Sequence, residues 1–223
     1  MRKRFAALLL ATVLVSVLLG LGVKAIVVDA ETSSLNHVDS GMMDLKLQDS
    51  DETYQDGVHV TWWADHVYPG WERNYAQALF LSNFGEAEAD HVELRCSYEL
   101  VQGQAEPGSS TNDADSFATC LEITKLEYRD TGWWIDLATG KVGGTPPYPG
   151  GYQQGDWEIK DVDGDGRKTF YDLAQQVIDN LPAPEENHLG PNHFQLSLKC
   201  PEDTGNEIQG DKLLVDIHLT LNQ

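Results

Sequence analysis

The chain has 223 residues, 15 Lys+Arg against 36 Asp+Glu, a formal net charge of −21, and a composition that is 41% hydrophobic and 9% aromatic. That is enough apolar material for one generous domain, or a domain with an insertion, and it argues against wholesale disorder. The charge argues against a nucleic-acid binder or a partner of anionic membrane surfaces, because little here could neutralise phosphates, and it favours cations as partners.

The charge is unevenly placed. Residues 1–25 contain Arg2, Lys3, Arg4 and Lys24 and no acid, so the rest of the chain carries 11 basic and 36 acidic side chains, a net −25. After the basic start, Phe5 to Val23 runs for 19 residues without a charge, and Val23-Lys24-Ala25 has the small residues of a cleavage site. Residues 1–25 therefore read as an export signal, with Ile26 as the mature N-terminus and 26–223 as the exported domain. A stretch of that length could also remain as an uncleaved anchor. In both readings the acidic part lies outside the cytoplasm. After cleavage the expected location is extracellular, with no membrane contact.

Most of the exported part alternates with period two. Met43, Leu45 and Leu47 alternate with polar neighbours, as do Val58, Val60 and Trp62. Tyr68-Pro69-Gly70 reads as a turn, followed by a strand from Tyr75 to Phe84. His91 to Val101 is the next, with Val92, Leu94, Cys96 and Tyr98 on one face. Gln102 to Asp115 reads as a mobile loop. Leu121 to Tyr128 is a further strand. Gly140 to Gly155, with three prolines and six glycines, reads as an irregular excursion that opens an insertion over 140–185. Phe194 to Cys200 and Leu213 to Leu221 complete the set. Short strands separated by turn residues predict an all-β antiparallel sandwich of jelly-roll or immunoglobulin-like type, with one inserted calcium loop–helix. An exported chain can form disulfides, and Cys96 and Cys200 both face inward on separate strands. They could bridge and leave Cys120 free, or all three cysteines could be buried thiols.

The sharpest motif is Asp161-Val162-Asp163-Gly164-Asp165-Gly166-Arg167-Lys168-Thr169-Phe170-Tyr171-Asp172. It has the spacing of a twelve-residue calcium loop. Ca²⁺ is a hard cation that needs about six to eight oxygens. Asp161, Asp163 and Asp165 would supply carboxylates, Gly166 the sharp turn, Arg167 its backbone carbonyl, Thr169 a direct or water-mediated contact, and Asp172 the closing carboxylate in place of the usual Glu. Behind the loop, Phe170, Leu173, Val177, Ile178 and Leu181 fit one face of a helix that Pro182 stops, with Asp172, Gln175, Gln176 and Asp179 outward. No helix leads into the loop, so this is half an EF-hand of the dockerin kind, present once. The ion would be structural, pinning the insertion to the sandwich.

No zinc-protease helix motif, nucleophile elbow, P-loop or dinucleotide fingerprint occurs, and the seven histidines are scattered. The chain reads as a non-enzyme. Trp62-Trp63 and Trp133-Trp134 would each place one ring inward and one outward. That arrangement suits core packing with rim exposure, or a platform for sugar.

Several stretches together resemble the TasA/camelysin family of exported proteins. They are Val27 to Asn36 at the start of the mature chain, Ser40 to Leu47, the Tyr68-Pro69-Gly70 turn with Leu79 to Gly85, Thr204 to Asp211, and the closing Leu219 to Gln223. Val27 stands where the family has Phe. The resemblance implies a signal removed by a SipW-like signal peptidase. It implies a jelly-roll subunit that polymerises with identical copies into biofilm-matrix fibres or related archaeal bundling pili. In such fibres the freed N-terminal segment completes the sheet of the next subunit, so Ile26 to Leu47 would be the donor segment, carrying Met43, Leu45 and Leu47. The acceptor groove would lie beside the strands around Leu79 and Leu219. The alternatives are a camelysin-like secreted metallopeptidase, which no zinc motif supports, and a monomeric carbohydrate-binding or adhesive module.

Overall fold

The computed structural model describes residues 43–49, 53–58, 62, 67–76, 78–101, 113–145, 157–185, 192–205 and 211–223, together with the backbone of 29–32. The signal segment 1–25, Trp63, His59 and His66 lie outside the described residues.

Eleven strands and two short helices are described: β1 (Asp29–Thr32), β2 (Leu45–Gln48), β3 (Glu72–Asn74), β4 (Leu79–Asn83), β5 (His91–Val101), α1 (Ala114–Thr119), β6 (Glu122–Arg129), β7 (Trp133–Asp136), β8 (Lys141–Gly144), α2 (Phe170–Ala174), β9 (Ile178–Pro182), β10 (His193–Lys199) and β11 (Lys212–Asn222). All pairings among them are antiparallel. One sheet has the order β1-β11-β5-β9. The other runs β2-β4-β10-β6-β7-β8, with β3 also paired to β10. The two inner faces share one apolar core, which makes the chain a β-sandwich.

The alternation read from the sequence explains the packing. On β5, Val92, Leu94 and Cys96 are buried while Arg95, Ser97 and Glu99 are exposed. On the second sheet, Tyr128 of β6 stacks on Phe194 of β10, with ring centroids 4.5 Å apart, and meets Trp133 of β7 edge-on at 5.3 Å. The Tyr128 hydroxyl donates to the Pro182 carbonyl at 2.7 Å, so this ring also ties β6 to β9 of the facing sheet. Asn192 donates to the same hydroxyl at 3.3 Å.

The predicted strands at 91–101, 121–128, 194–200 and 213–221 match β5, β6, β10 and β11. The strand expected over 75–84 is β4 at Leu79–Asn83, while Tyr75 ahead of it follows β3 and donates its N–H to the Leu196 carbonyl of β10 at 3.1 Å. Two strands, β7 and β8, stand where the sequence suggested only a tryptophan pair and an excursion. Their hairpin works because β8 offers glycine beneath an indole: a Cβ on Gly143 would collide with the Trp134 ring nitrogen. Trp133 is buried and Trp134 half-buried, as the alternation required.

The predicted helix over 170–181 is a correction. Only residues 170–174 are helical, and 178–182 form the edge strand β9 on β5. Leu94 pairs with Ile178 and Val92 with Leu181, so β9 has one extra residue at a bulge. That bulge separates two buried residues by three positions, which imitates helical spacing. Asn180 takes a left-handed φ of 59° within it, a conformation that ends any helix. Val177, assigned to the apolar face, is exposed, and Asp172, assigned to the outer face, is buried. Helix α1, which begins inside the predicted loop 102–115, is capped by Asp113, whose carboxylate accepts from the Ser116 N–H at 2.7 Å, and it buries Phe117 and Ala118.

The Cys96–Cys200 bridge considered above is not formed, and all three cysteines are thiols. Cys96 lies on β5 of one sheet, while Cys200 follows β10 of the other. Each thiol makes a long contact to the next residue's carbonyl, Ser97 and Pro201 respectively. Burial, aided by the charge of Asp216, pushes the Cys96 thiol up to about 12, which keeps it protonated and unreactive.

Candidate metal centre

The loop 161–172 stands between two arms that are sewn to the second sheet. On the incoming side, the Ile159 N–H donates to the Leu137 carbonyl at 2.7 Å. On the outgoing side, the Lys168 carbonyl accepts from the Ile123 N–H at 2.6 Å, and Glu122 bridges to Thr169. The Gln176 side chain pairs with both backbone groups of Lys160, at 3.0 and 3.3 Å, as a strand would. Trp157, Ile159, Phe170 and Leu173 are buried beneath. The ammonium of Lys168 holds Glu158 at 2.9 Å and also donates to the Ile159 carbonyl.

Within that frame the loop folds around its own aspartates. The two carboxylate oxygens of Asp161 accept from the Gly164 and Gly166 N–H groups at 2.7 and 2.8 Å. Asp163 accepts from the Asp165 N–H at 3.2 Å, and Asp165 from the Arg167 N–H at 2.8 Å. Gly164 and Gly166 have φ of 78° and 86°, the left-handed region that a Cβ disfavours, which explains glycine at both positions. The result brings Asp161, Asp163 and Asp165 together, with one oxygen of each within 4.8 Å of the others. Hydrogen bonds from Gly166 and then Gly164 hold the Asp161 carboxyl below the usual carboxylate range. Loss of water around Asp163, and then the negative charges of Asp165 and Asp172, push its carboxyl above that range.

Two of the predicted ligands are occupied otherwise. Asp172 is fully buried, and its carboxylate accepts from the Val162 N–H at 2.7 Å, the Thr169 N–H at 2.8 Å and the Thr169 hydroxyl at 2.7 Å. Thr169 is the N-cap of α2, and the two residues form a capping box. They brace the loop from behind; the carboxylates that converge are those of the first three aspartates. The Arg167 side chain turns away to Asp203, with contacts of 2.8 and 2.7 Å, and leaves only its backbone to the loop. Asp203, in the connection from β10 to β11, is a loop-positioning residue that local spacing could not reveal, since it lies far along the chain.

The donor set suits a hard cation. Three oxygen ligands of like charge converge on an exposed face, and backbone carbonyls and water can supply the rest. Among the described residues, this is the one group of three or more His, Cys, Asp or Glu side chains close enough to share an ion, and it contains no imidazole or thiolate.

The predicted donor segment lies elsewhere. Met43, Leu45 and Leu47 are 1%, 0% and 0% exposed, so they are core residues of this same chain. β2 pairs with β4, the strand that begins at Leu79, and β1 pairs with β11, with Glu31 opposite Leu219. No family model and no curated protein matches the chain.

Proposed function

We propose that the chain is a secreted structural subunit, a calcium-stabilised β-sandwich that polymerises into extracellular fibres by exchanging its N-terminal segment. The observation that carries this reading is the placement of that segment. β1 is the outermost strand of one sheet and β2 the outermost strand of the other. One short stretch of chain therefore closes an edge of each sheet and fills the core with Met43, Leu45 and Leu47. Supplied by a neighbour, the same residues would make the same contacts, so the exchange costs little enthalpy and links subunits in series. The resemblance to the TasA/camelysin family points the same way, including its jelly-roll expectation. The acidic loop is assigned to Ca²⁺, which would offset the repulsion among three carboxylates and stiffen the insertion. Extracellular calcium is plentiful enough for a modest site.

Electron microscopy of purified protein with and without residues 26–47 tests the exchange. Filaments from the intact segment and none after its deletion are expected. Filaments that survive the deletion would sink the strand-exchange mechanism. Chelator-sensitive casein cleavage would instead favour the metallopeptidase.

A further inference from the structure

We propose that the outer face of the second sheet binds a neutral polysaccharide chain, laid across the strands between Trp134 and Phe80. Strand register puts the contact residues in one row. Phe80 of β4 stands opposite His193 of β10, His193 opposite Arg129 of β6, Arg129 opposite Trp134 of β7, and Trp134 opposite Gly143 of β8. Their neighbours along the strands, Leu79, Phe194, Tyr128 and Ile135, are buried in the core, so alternation turns the row outward. Phe80, His193, Arg129 and Trp134 all keep part of their surface in solvent, and the Arg129 side chain keeps 38%. At the usual strand spacing of about 4.8 Å, the row from Phe80 to Trp134 spans about 14 Å, the length of a short oligosaccharide.

Both ends of the row are aromatic. The Phe80 and His193 rings lie 5.0 Å apart at 41°. At the other end the Trp134 indole leans across β8, where a Cβ on Gly143 would fall 2.2 Å from its ring nitrogen. Glycine at 143 lets the ring lie along the sheet, and the C–H face of a pyranose can pack on it there. The middle of the row is polar and already held in place. Glu127, buried between Arg129 and Lys125 along β6, pairs with the first at 3.1 Å and the second at 3.4 Å, and Lys125 donates to the Gln195 side-chain oxygen at 3.4 Å. Arg129, Lys125 and Gln195 together offer directed donors and an acceptor, which suits sugar hydroxyls, since each of those both donates and accepts. Holding them beforehand spares the ligand part of the cost of ordering them. The apolar side chains of a peptide would instead meet the Arg129–Glu127 pair in mid-row. Charge decides between glycans. Lys125, Arg129 and Lys141 stand here against Glu127 and Asp136, close to balance, whereas the exported part as a whole has 11 basic and 36 acidic side chains and would repel an acidic polymer. The site lies on a sheet face, so it does not rest on strand exchange at the sheet edges.

Native gel electrophoresis of the exported protein tests this, in gels cast with mixed-linkage β-glucan, galactomannan, xylan or the acidic polymer alginate, against gels without polymer. At least one of the three neutral polymers should retard the wild type, and more strongly than alginate does. Trp134→Ala should weaken that binding at least about tenfold, because the stacking surface is lost. Gln195→Ala should weaken it several-fold. Phe84→Ala removes an aromatic ring that is 41% exposed but lies outside the row, and should leave binding unchanged. Melting temperatures separate lost binding from lost folding. Should Trp134→Ala prove unstable, Gln195→Ala at its partly exposed position decides, and wild-type retardation in it overturns the proposal. A wild type unretarded by all three neutral polymers, retardation by alginate as strong or stronger, or undiminished retardation of a folded Trp134→Ala would each do the same.

Discussion

Asp172 and Asp163 carry the same side chain in the same loop and do opposite things. Asp172 is buried, with three donors on its carboxylate. Asp172→Ala should cost about 2–3 kcal/mol with or without calcium, because it strands those donors, and urea denaturation reads the loss. Asp163 is exposed and sits among negative charges. Asp163→Asn should hold or slightly raise the melting temperature in chelator, and should abolish the rise that Ca²⁺ gives the wild type. A wild type that melts identically in Ca²⁺ and in chelator would remove the stabilising ion. The pH dependence follows from the two shifts. Asp161, held low, contributes stability at neutral pH that is lost as pH falls through its folded-state value. Asp163, held high, binds its proton more tightly in the folded protein, so its contribution weakens stability as pH rises through the carboxylate range. Asp163→Asn should therefore flatten the metal-free stability profile on that rising side.

At the scale of elements, the region after the loop shows how two periods are confused. Phe170, Leu173, Ile178 and Leu181 satisfy a helical wheel, and the chain uses only the first turn of it. The rest is drawn onto the free edge of β5, where pairing gives the outer backbone groups of β5 partners and buries Ile178 and Leu181 against the core. The left-handed Asn180 makes this testable. Asn180→Ala should cost about 1 kcal/mol, and Asn180→Gly should be neutral or slightly stabilising, as read from the denaturation midpoint. Equal costs for the two would mean that the Asn side chain, and not its φ, is what β9 needs. Tyr128→Phe probes the union of the sheets. Loss of the hydroxyl leaves the Pro182 carbonyl and Asn192 amide short of a partner in a buried place, for about 1–3 kcal/mol.

For the whole molecule, charge is the dominant constraint. After residue 25 the chain carries 11 basic and 36 acidic side chains, so copies repel one another. At physiological ionic strength this repulsion reaches about 8 Å. Fibre growth under the proposed mechanism should therefore quicken with added salt, as light scattering would show. Ca²⁺ should exceed NaCl at equal ionic strength, and the excess should vanish in Asp163→Ala/Asp165→Ala. Growth fastest at low salt would contradict this account.

Alternation along β5, β6, β10 and β11 was enough to predict a β-sandwich, because a strand with one buried face writes that face into every second residue. The spacing of Asp161, Asp163, Asp165 and Gly166 was likewise legible, since those residues bond to one another within a few positions. What was not legible depended on partners distant in the chain. β9 is a strand because β5 had an edge to offer, the absence of a Cys96–Cys200 bond is set by where the two strands end up, and Asp203 meets Arg167 only once β10 is in place. Asp172 turned inward for the same reason: the capping of α2 and the packed insertion set its direction, and neither is a property of local spacing. Local hydrogen bonds and face periodicity are carried by neighbours in sequence, whereas edges, bulges and long-range pairs are decided by which surfaces the folded chain leaves open.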